Sequence, residues 1–313
     1  MNNKYKIFVA WWTWFLWKRI VHKLKLLWLD YVTTSLSMWT DFRDKKQTEK
    51  FFEREKPDIV INCAAYVGWI QFWIKHEWEL FYNNTLINLN LIEASRKVGI
   101  KRFINPISNC SYPNVLEKDF KEDEWWNWEL HPSVLVYWFA KKSTWIQSYA
   151  YSNQYNMDFI NLLIPNMYGP WDHFEEERSH ALWALIMKIV NAHNNSSPEV
   201  SIWWTWKPIR EWLYVDDCVD FLLKSIEISP EINPINIWQW KWISIIDMAK
   251  IIKDIVWYKW KLQLDTTKQD GAPYKIMNIE KCRDIFWILP DTTLEKWIEK
   301  TIKWYINNFN KND

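Results

Sequence analysis

The 313-residue sequence is short of glycine: it has 4, where the usual share of ~7% would give about 22. It carries 28 tryptophans instead. Trp28 follows the first helical pattern at a position that glycine usually takes, and Trp257 stands where another helical pattern ends. Read with glycine, residues 236–244, NIWQWKWIS, become the loop-like NIGQGKGIS. We infer that most of these tryptophans stand for glycine, through a codon that the source organism reads as glycine; the alternative is a genuinely Trp-rich protein.

Three further absences narrow the class of protein. No stretch of 18 apolar residues exists and the polar start leads into no signal-peptide pattern, so we expect no membrane association. The net charge is +1 with both signs interspersed, which leaves no basic surface for nucleic acid. The four cysteines are widely spaced without a CxxC pair, which argues against a zinc site and a disulfide scaffold. We expect a cytoplasmic globular protein without a bound metal.

Strand and helix patterns alternate through the first half of the chain. Apolar runs at 6–10, 30–34, 58–65, 102–107 and 159–164 alternate with helical patterns that end near residue 27 and then cover 45–55, 80–98 and 141–153. This alternation predicts an α/β fold with a Rossmann-type, doubly wound parallel sheet. Shorter elements follow Gly169, and 294–309 predicts a closing helix. We place a soft boundary near residue 168, between a nucleotide-binding domain (1–168) and a smaller C-terminal α/β lobe (169–313).

The junction of the first strand and helix has the spacing of a phosphate-binding turn. Read with glycine, residues 9–17, VAWWTWFLW, become VAGGTGFLG, in which the glycines at 11, 14 and 17 have the spacing G-x-x-G-x-x-G. Such glycines make a tight turn, let a pyrophosphate approach closely and point a helix N-terminus at it. The cofactor-binding candidates here are Trp11, Trp12, Thr13, Trp14, Phe15, Leu16 and Trp17.

The end of the second strand indicates which dinucleotide would bind. Residues 32–37, VTTSLS, offer hydroxyl groups, among them Ser35 and Ser37, and no carboxylate. A carboxylate there would bond the ribose 2′-hydroxyl of NAD, so its absence leaves room for a 2′-phosphate. The sequence therefore favours NADP(H).

Ser108, Tyr137 and Lys141 form a second candidate constellation. Tyr and Lys at i and i+4 share a helix face, and an ammonium group beside a phenol lowers the phenol's pKa from its ordinary ~10. Such a tyrosine can protonate a carbonyl oxygen as a hydride arrives, and Ser108 can hydrogen-bond the same oxygen. A Tyr-x-x-x-Lys pair alone is common on protein surfaces; its order after a nucleotide turn and a serine favours the catalytic interpretation.

The order of these motifs resembles one enzyme family. The phosphate turn is followed by AAYVGW (64–69), SNCSYP (108–113), the Tyr137–Lys141 pair, NMYGP (166–170) and REWLYVDD (210–217), as in the extended short-chain dehydrogenase/reductases. Within that superfamily the whole chain resembles the GDP-L-fucose synthase family. The resemblance implies NADPH-dependent 3,5-epimerisation and 4-reduction of a GDP-sugar, GDP-4-keto-6-deoxy-D-mannose.

The same resemblance implies roles for further residues. Cys110 and His180 would be the base and acid of the epimerisation. Besides the turn and the two serines, the cofactor set would be Asp41, Ala64, Ala65, Lys141, Ile164, Pro165, Asn166, Met167 and His180. The substrate set would be Lys188, Trp203, Arg210, Asp270 and Lys275. The chain departs from the family at Lys188, where Arg is common, and at Thr13 and Ser35, where basic residues hold the 2′-phosphate.

Two other functions stay open on the sequence alone. A sister nucleotide-sugar epimerase or dehydratase would share the fold. An acidic residue at the end of the second strand and the loss of Cys110 would favour such an enzyme, and the sequence shows neither. A non-catalytic scaffold would follow if indoles truly fill the phosphate turn, because they would take the pyrophosphate's place. Helices 80–98 and 141–153 pair across a homodimer in the family that the chain resembles, so we expect a homodimer.

Overall fold

The computed structural model describes residues 4–11, 14–67, 72, 75–113, 119–127, 135–172, 181–203, 209–238, 242–265, 274–287 and 293–309. Four candidates, Trp12, Thr13, His180 and Asp270, lie outside these residues. Four more are placed by their backbone alone: Trp14, Tyr137, Trp203 and Lys275.

Strands and helices alternate along the described chain. The strands are β1 (Ile7–Trp11), β2 (Tyr31–Thr34), β3 (Ile59–Cys63), β4 (Arg102–Ser108), β5 (Phe159–Ile164), β6 (Asn166–Tyr168), β7 (Glu199–Trp203), β8 (Ile209–Tyr214), β9 (Glu231–Asn236), β10 (Trp242–Ser244), β11 (Lys261–Asp265) and β12 (Tyr274–Lys275). The helices are α1 (Trp14–Leu26), α2 (Lys45–Glu55), α3 (Glu77–Val98), α4 (Leu135–Tyr155), α5 (Ala181–Asn194), α6 (Val215–Lys224), α7 (Ile245–Val256), α8 (Glu280–Phe286) and α9 (Leu294–Phe309).

The main sheet is parallel and confirms the predicted Rossmann-type fold. Its six strands run in the order β2-β1-β3-β4-β5-β9, and every neighbouring pair is parallel. The chain leaves β1 for β2 on one side and returns to β3 on the other, so the order reverses between β1 and β3. A crevice for ligands opens at the carboxyl ends of the strands at such a point. Trp11, the last residue of β1, lies there in register with Cys63 of β3.

Alternate residues of the sheet face two separate cores. In β1, Ile7 and Val9 point to the core that contains residues of α1, α6 and α8, whereas Phe8 and Ala10 point to the core built with α2 and α3. All four side chains are at most 2% exposed. A strand covered on both faces needs apolar residues at every position, which explains the uninterrupted apolar run at the start of the chain.

The second lobe is built around β8. β8 pairs with β10 antiparallel and with β12 and β6 parallel, while β7 and β11 form a separate parallel pair. Residues of α5, α7 and α9 share its apolar core. β9 joins the main sheet beside β5 although it follows residue 168 in sequence. The division into 1–168 and 169–313 therefore stays a proposal in which β9 is a shared element.

The predicted elements differ from the observed ones mainly in their ends. The helix expected at 141–153 begins at Leu135, so one helix carries both Tyr137 and Lys141. Residues 242–244, expected in a loop, form β10 because they pair with β8. Trp28 and Trp257 have φ of 54° and 61°, which confirms that both helices end in the left-handed region. Among the described residues, no helix is both long and apolar enough to cross a membrane.

Candidate active site

The candidate residues gather at one edge of the main sheet because its parallel strands all end there. β1 ends at Trp11, β3 leads into Ala64 and Ala65, β4 ends at Ser108, and β5 ends at Ile164. Ser108 and Ile164 are direct neighbours in the register of β4 and β5. Ala64 and Ile164 are buried, and Pro165 is buried next to Ile164. The strand ends thus form the floor of a crevice.

Ser108 shapes the turn that presents Cys110. The Ser108 Oγ accepts a hydrogen bond from the Cys110 backbone N–H at 3.2 Å, and the Ser111 Oγ donates to the Ser108 carbonyl at 2.6 Å. These bonds close a 3₁₀ turn over Asn109–Ser111. Cys110 is half-buried there and packs against the apolar pair Leu80 and Trp138. Trp138 lies on α4, so the cysteine faces the helix that carries the Tyr-x-x-x-Lys motif.

Lys141 points its charge into the interior beside the end of β3. Its side chain is 7% exposed. Burial lowers the pKa of Lys141 from 10.5 to about 8, while the nearby Cys63 opposes that shift. Burial likewise raises the pKa of the Cys63 thiol to about 12, with Lys141 opposing. A lysine that titrates near pH 8 is what a proton-handling site requires. Cys63 thus packs against the core and also lies beside this lysine.

A row of buried asparagines crosses the sheet beneath this edge. Asn62, Asn105 and Asn161 stand on adjacent strands, and Asn105 and Asn161 are direct register partners. The Asn62 amide donates to Asn105 Oδ1 at 3.4 Å, and the Asn105 amide donates to Asn161 Oδ1 at 3.0 Å. All three side chains are at most 4% exposed. Each has a hydrogen-bond partner, as buried polar groups require.

The asparagine row connects the sheet to two of its helices, α3 and α4. The Asn62 amide also donates to Asn88 Oδ1 on α3 at 3.0 Å, and the Asn88 amide donates to Thr144 Oγ1 on α4 at 2.6 Å. Asn62 Oδ1 accepts from the Ala64 backbone N–H at 3.2 Å. The network therefore ties a cofactor-binding candidate to the helix of Lys141. The sequence carried a signal that we missed: an Ile-Asn pair recurs in β3, β4 and β5 at 61–62, 104–105 and 160–161.

Helix α3 also fixes two loops at the crevice through asparagines. Asn84 Oδ1 accepts from the Tyr66 N–H at 3.0 Å, and its amide donates to the Tyr66 carbonyl at 2.8 Å. Asn90 donates to the carbonyl groups of Phe42 and Arg43 at 2.9 and 3.0 Å. These bonds hold the loop after β3 and the loop before α2 in place.

The cofactor candidates after β2 lie close together. Ser35 is buried and its Oγ is 2.9 Å from that of Ser37. Asp41 forms a two-pronged ion pair with Arg43, whose nitrogens lie 2.7 and 2.9 Å from the carboxylate oxygens. Hydrogen bonding from Arg43 lowers the pKa of Asp41. Directly after β2 the chain has Ser35 and Ser37 and not a carboxylate, which agrees with room for a 2′-phosphate.

The phosphate turn as written does not fit a dinucleotide. The Trp11 and Trp17 rings stack with centroids 4.2 Å apart, and Trp11 is 2% exposed. The Trp17 Nε1 donates to Thr33 Oγ1 on β2 at 2.6 Å, so the stacked indoles occupy the space between β1, β2 and α1. A dinucleotide-binding turn leaves this space to backbone and pyrophosphate. Phe15 and Leu16 are buried in the core and offer the ligand no side chain.

The substrate candidates lie in the second lobe. Arg210 on β8 is half-buried and is the register partner of Lys275 on β12. Asn166 begins β6 and pairs with Trp212, two residues along β8 from Arg210; Met167 follows it and packs against the main core. Lys188 is half-buried on α5, and Trp203 ends β7 opposite Asp265. Among the described residues, no group of three His, Cys, Asp or Glu side chains could hold a metal ion.

Comparison with known proteins identifies the family. Residues 27–237 match the family model described as the NAD dependent epimerase/dehydratase family; the match begins after the β1–α1 junction. GDP-L-fucose synthase 1 of Arabidopsis thaliana is 31% identical over 97% of this chain and 94% of its own length. The chain belongs to the GDP-L-fucose synthase family. The resemblance inferred from the motifs is thereby confirmed.

Two further comparisons agree with this membership. The GDP-L-fucose synthase of Sinorhizobium fredii is 33% identical over 86% of this chain and 85% of its own length. The crystal structure of a GDP-L-fucose synthetase from Naegleria fowleri bound to NADP covers 99% of this chain and 95% of that one, with a TM-score of 0.90 and 24% identity. At that identity the structural likeness establishes the shared fold.

Proposed function

We propose that the protein converts GDP-4-keto-6-deoxy-D-mannose to GDP-L-fucose, by epimerisation at C3 and C5 and NADPH-dependent reduction at C4. One observation carries this proposal: Ser108 ends β4, and Cys110, in the turn that follows, packs against α4, whose buried Lys141 has its pKa lowered to about 8. This arrangement supports a site that uses a thiol, a hydroxyl and a titratable ammonium group together. Family membership supports the same reaction.

The epimerisation needs a base and an acid on opposite faces of the sugar. The protons at C3 and C5 are acidic because the neighbouring keto group takes up the charge that remains when one leaves. Cys110 removes such a proton as the thiolate, and His180 returns one from the other side. Ser108 hydrogen-bonds the keto oxygen, on which the negative charge develops.

The reduction at C4 needs a proton for the keto oxygen. NADP(H) is the hydride donor of this reaction. Tyr137 supplies the proton, and a positively charged Lys141 would stabilise the phenolate that remains. Ser108 orients the oxygen that receives it. Because Tyr137 and Lys141 are four residues apart on α4, they share one helix face.

The substrate's nucleotide lies over the second lobe in this proposal. The Arg210 guanidinium binds the pyrophosphate as a fork, and Lys275, its register neighbour, adds a second positive charge. Lys188 contributes a point charge from α5, and Trp203 offers a ring for stacking against the guanine or sugar. Asp270 completes the set.

The cofactor lies over the carboxyl edge of the main sheet. Ser35 and Ser37 receive the 2′-phosphate end, with Asp41 near by, and Ala64 and Ala65 line the middle of the crevice. Lys141 and the segment from Ile164 to Met167 would hold the nicotinamide end, and His180 is the further candidate for it from the sequence. Residues 11–17 receive the pyrophosphate once the turn is open. We also propose that the enzyme works in the cytoplasm, with residues 1–168 as its NADP-binding domain.

We further propose a homodimer formed through α3 and α4. These helices pack on each other, and large apolar side chains on both are 45–50% exposed: Tyr82, Leu89, Phe139, Ile146 and Tyr149. Apolar side chains so exposed on neighbouring helices are typical of a surface that a second subunit covers.

The two half-reactions can be tested separately in D₂O. A form with glycine at positions 11, 14 and 17 should consume NADPH, produce GDP-L-fucose and incorporate deuterium at C3 and C5 of the sugar. Cys110→Ser should lose the deuterium incorporation, whereas Tyr137→Phe should keep it and lose NADPH oxidation. Deuterium incorporation that survives Cys110→Ser, or a preference for UDP-sugars, would overturn the proposal and favour a sister enzyme.

A further inference from the structure

Several tryptophans lie at backbone positions with a positive φ, a conformation that is strained for any residue with a Cβ atom. Eight described residues other than glycine have a positive φ, and five of the eight are tryptophans with φ from 53° to 71°: Trp28, Trp39, Trp171, Trp257 and Trp287. Since 28 of the 313 residues are Trp, chance would place fewer than one at eight positions. In this region the Cβ of an L-residue crowds its own carbonyl oxygen, whereas glycine has no Cβ to crowd.

Two of these tryptophans end their helices in the same way as a real glycine does. Gly99 ends α3: its N–H bonds the carbonyl three residues back at 3.1 Å, and the next N–H bonds the carbonyl five residues before it at 3.2 Å. The corresponding distances are 3.1 and 3.1 Å at Trp28, and 3.2 and 3.0 Å at Trp257. This pair of bonds defines the Schellman end, whose left-handed residue is usually glycine.

Four of the five tryptophans with positive φ gain little from packing. The fifth, Trp171, is 37% exposed and contacts the Arg19 guanidinium and the Trp304 ring, so its φ alone supports glycine there. Trp39, Trp287, Trp28 and Trp257 are 94, 87, 85 and 79% exposed. Trp125, by contrast, is fully buried and its Nε1 donates to Ser111 Oγ at 2.7 Å. A large ring in solvent on a strained backbone has neither the burial nor the hydrogen bond that normally favours tryptophan. The structure thus separates these tryptophans from ones such as Trp125 whose side chains the fold uses.

The phosphate turn also carries tryptophan at positions where its proposed function requires glycine. The chain belongs to a family of nucleotide-sugar enzymes, yet the stacked rings of Trp11 and Trp17 fill its dinucleotide turn. Positions 11, 14 and 17 have the spacing at which such a turn carries glycine. Glycine in place of tryptophan therefore explains both features: it relieves the strain at the helix ends, and it removes the indole rings from the turn.

We infer that the working protein carries glycine at the five left-handed tryptophan positions and at positions 11, 14 and 17. The replacement opens the turn for the pyrophosphate of the nicotinamide dinucleotide. Only that consequence depends on the proposed function. The identities at the five left-handed positions rest on backbone geometry and, except at Trp171, on exposure, whereas those at 11, 14 and 17 rest on the motif spacing.

Peptide masses test the residue identities directly. Peptides that span residues 7–18 and the left-handed positions, taken from protein made by its source organism, should have the masses of glycine at these sites and of tryptophan at Trp125. Tryptophan masses at the left-handed sites would overturn the inference, whatever the protein's activity.

Thermal unfolding of recombinant protein is an independent test. Trp28→Gly and Trp257→Gly should each raise the Tm by about 2–4 °C, since they relieve strain without removing a buried ring. Gly99→Trp is the matched reverse control: a Cβ at Gly99 would meet no atom within 4 Å, so its lower Tm would report backbone strain. Trp78→Gly, an exposed site inside α3, should lower the Tm. A lower Tm for the first two variants would contradict the inference.

NADPH binding, measured by fluorescence energy transfer from the protein to NADPH, tests the opened turn in the absence of the sugar. The form with glycine at 11, 14 and 17 should bind NADPH, and the chain as written should not. A form with glycine only at 28 and 257 should be more stable yet still fail to bind. Equal NADPH binding by the written chain would refute the opened turn. Binding by the glycine form without activity on the GDP-sugar would overturn the proposed function alone.

Discussion

Burial of single charged groups sets the pH behaviour of this protein. Lys141 is 7% exposed, and burial lowers its pKa from 10.5 to about 8. The unfolded chain therefore binds this proton more tightly than the folded one. Burial of the charge costs stability below pH 8, and the cost disappears as the pH rises toward 10.5. The proposed proton-handling role explains why the chain keeps a group that its own fold disfavours.

Lys141→Met should separate these two effects. In the glycine-bearing form the variant should lose NADPH oxidation yet become more stable at pH 7, by at most about 3 kcal/mol at ~1.4 kcal/mol per pKa unit. Urea unfolding should show the difference vanish near pH 10.5. A variant less stable than its parent at pH 7 would show that Lys141 makes stabilising bonds that outweigh its desolvation.

Asp217 offers a second test at this scale. Burial raises its pKa to about 7, with Asp220 and Asp216 adding to the shift. The folded state thus holds a proton that the unfolded state releases near pH 4, so the free energy of unfolding falls between pH 4 and pH 7. In urea unfolding, Asp217→Asn should remove the fall in the free energy of unfolding between pH 4 and pH 7. The control Asp254→Asn, at an exposed residue, should leave that fall unchanged. An unchanged slope in Asp217→Asn would refute this account.

At the scale of the elements, buried asparagines fix where α4 lies. The row Asn62, Asn105 and Asn161 crosses three strands and reaches α4 through Asn88 and Thr144. A buried amide that loses its partner costs about 1–3 kcal/mol. The row therefore holds α4 in register with the sheet, and with it the candidates Tyr137 and Lys141.

Asn105→Leu should expose this positioning role. It leaves Asn161 Oδ1 without its 3.0 Å donor, so unfolding in urea should cost about 1–3 kcal/mol less. In the glycine-bearing form we expect kcat to fall more than KM rises, because the substrate residues lie on other elements. Asn90→Ala is the control, since Asn90 holds the loop at Phe42 and Arg43 and makes no bond to α4 among those described. A kcat lowered equally in both variants would contradict the role of the row.

At the scale of the whole molecule, we expect a second subunit to cover the exposed apolar side chains of α3 and α4. Ile146→Glu places a charge at the centre of the proposed dimer surface, where Ile146 is 50% exposed. Light scattering after gel filtration should show a dimer for the parent and a monomer for the variant. Ile306→Glu, on α9 and 39% exposed, should leave the mass unchanged. A monomeric parent would remove this proposal.

The sequence by itself determined the alternation of elements in the first half of the chain and the family, and it supplied the candidates for the site. Helix and strand periodicity is local, so the predicted bounds at 45–55 and 294–309 coincide with α2 and α9. Motif spacing along the chain similarly identified Ser108, Tyr137, Lys141 and the turn at 11–17. The lack of glycine predicted left-handed helix ends at Trp28 and Trp257.

Only the tertiary structure decided which distant residues meet. β9 lies beside β5 because the main sheet could bury its apolar residues, a pairing that no local pattern encodes. The asparagine row, the register of Arg210 with Lys275 and the lowered pKa of Lys141 arise in the same way. Hydrogen bonding, register and desolvation depend on neighbours far apart in sequence. The sequence alone shows local secondary-structure preferences, whereas the packing of the core determines which distant residues come into contact.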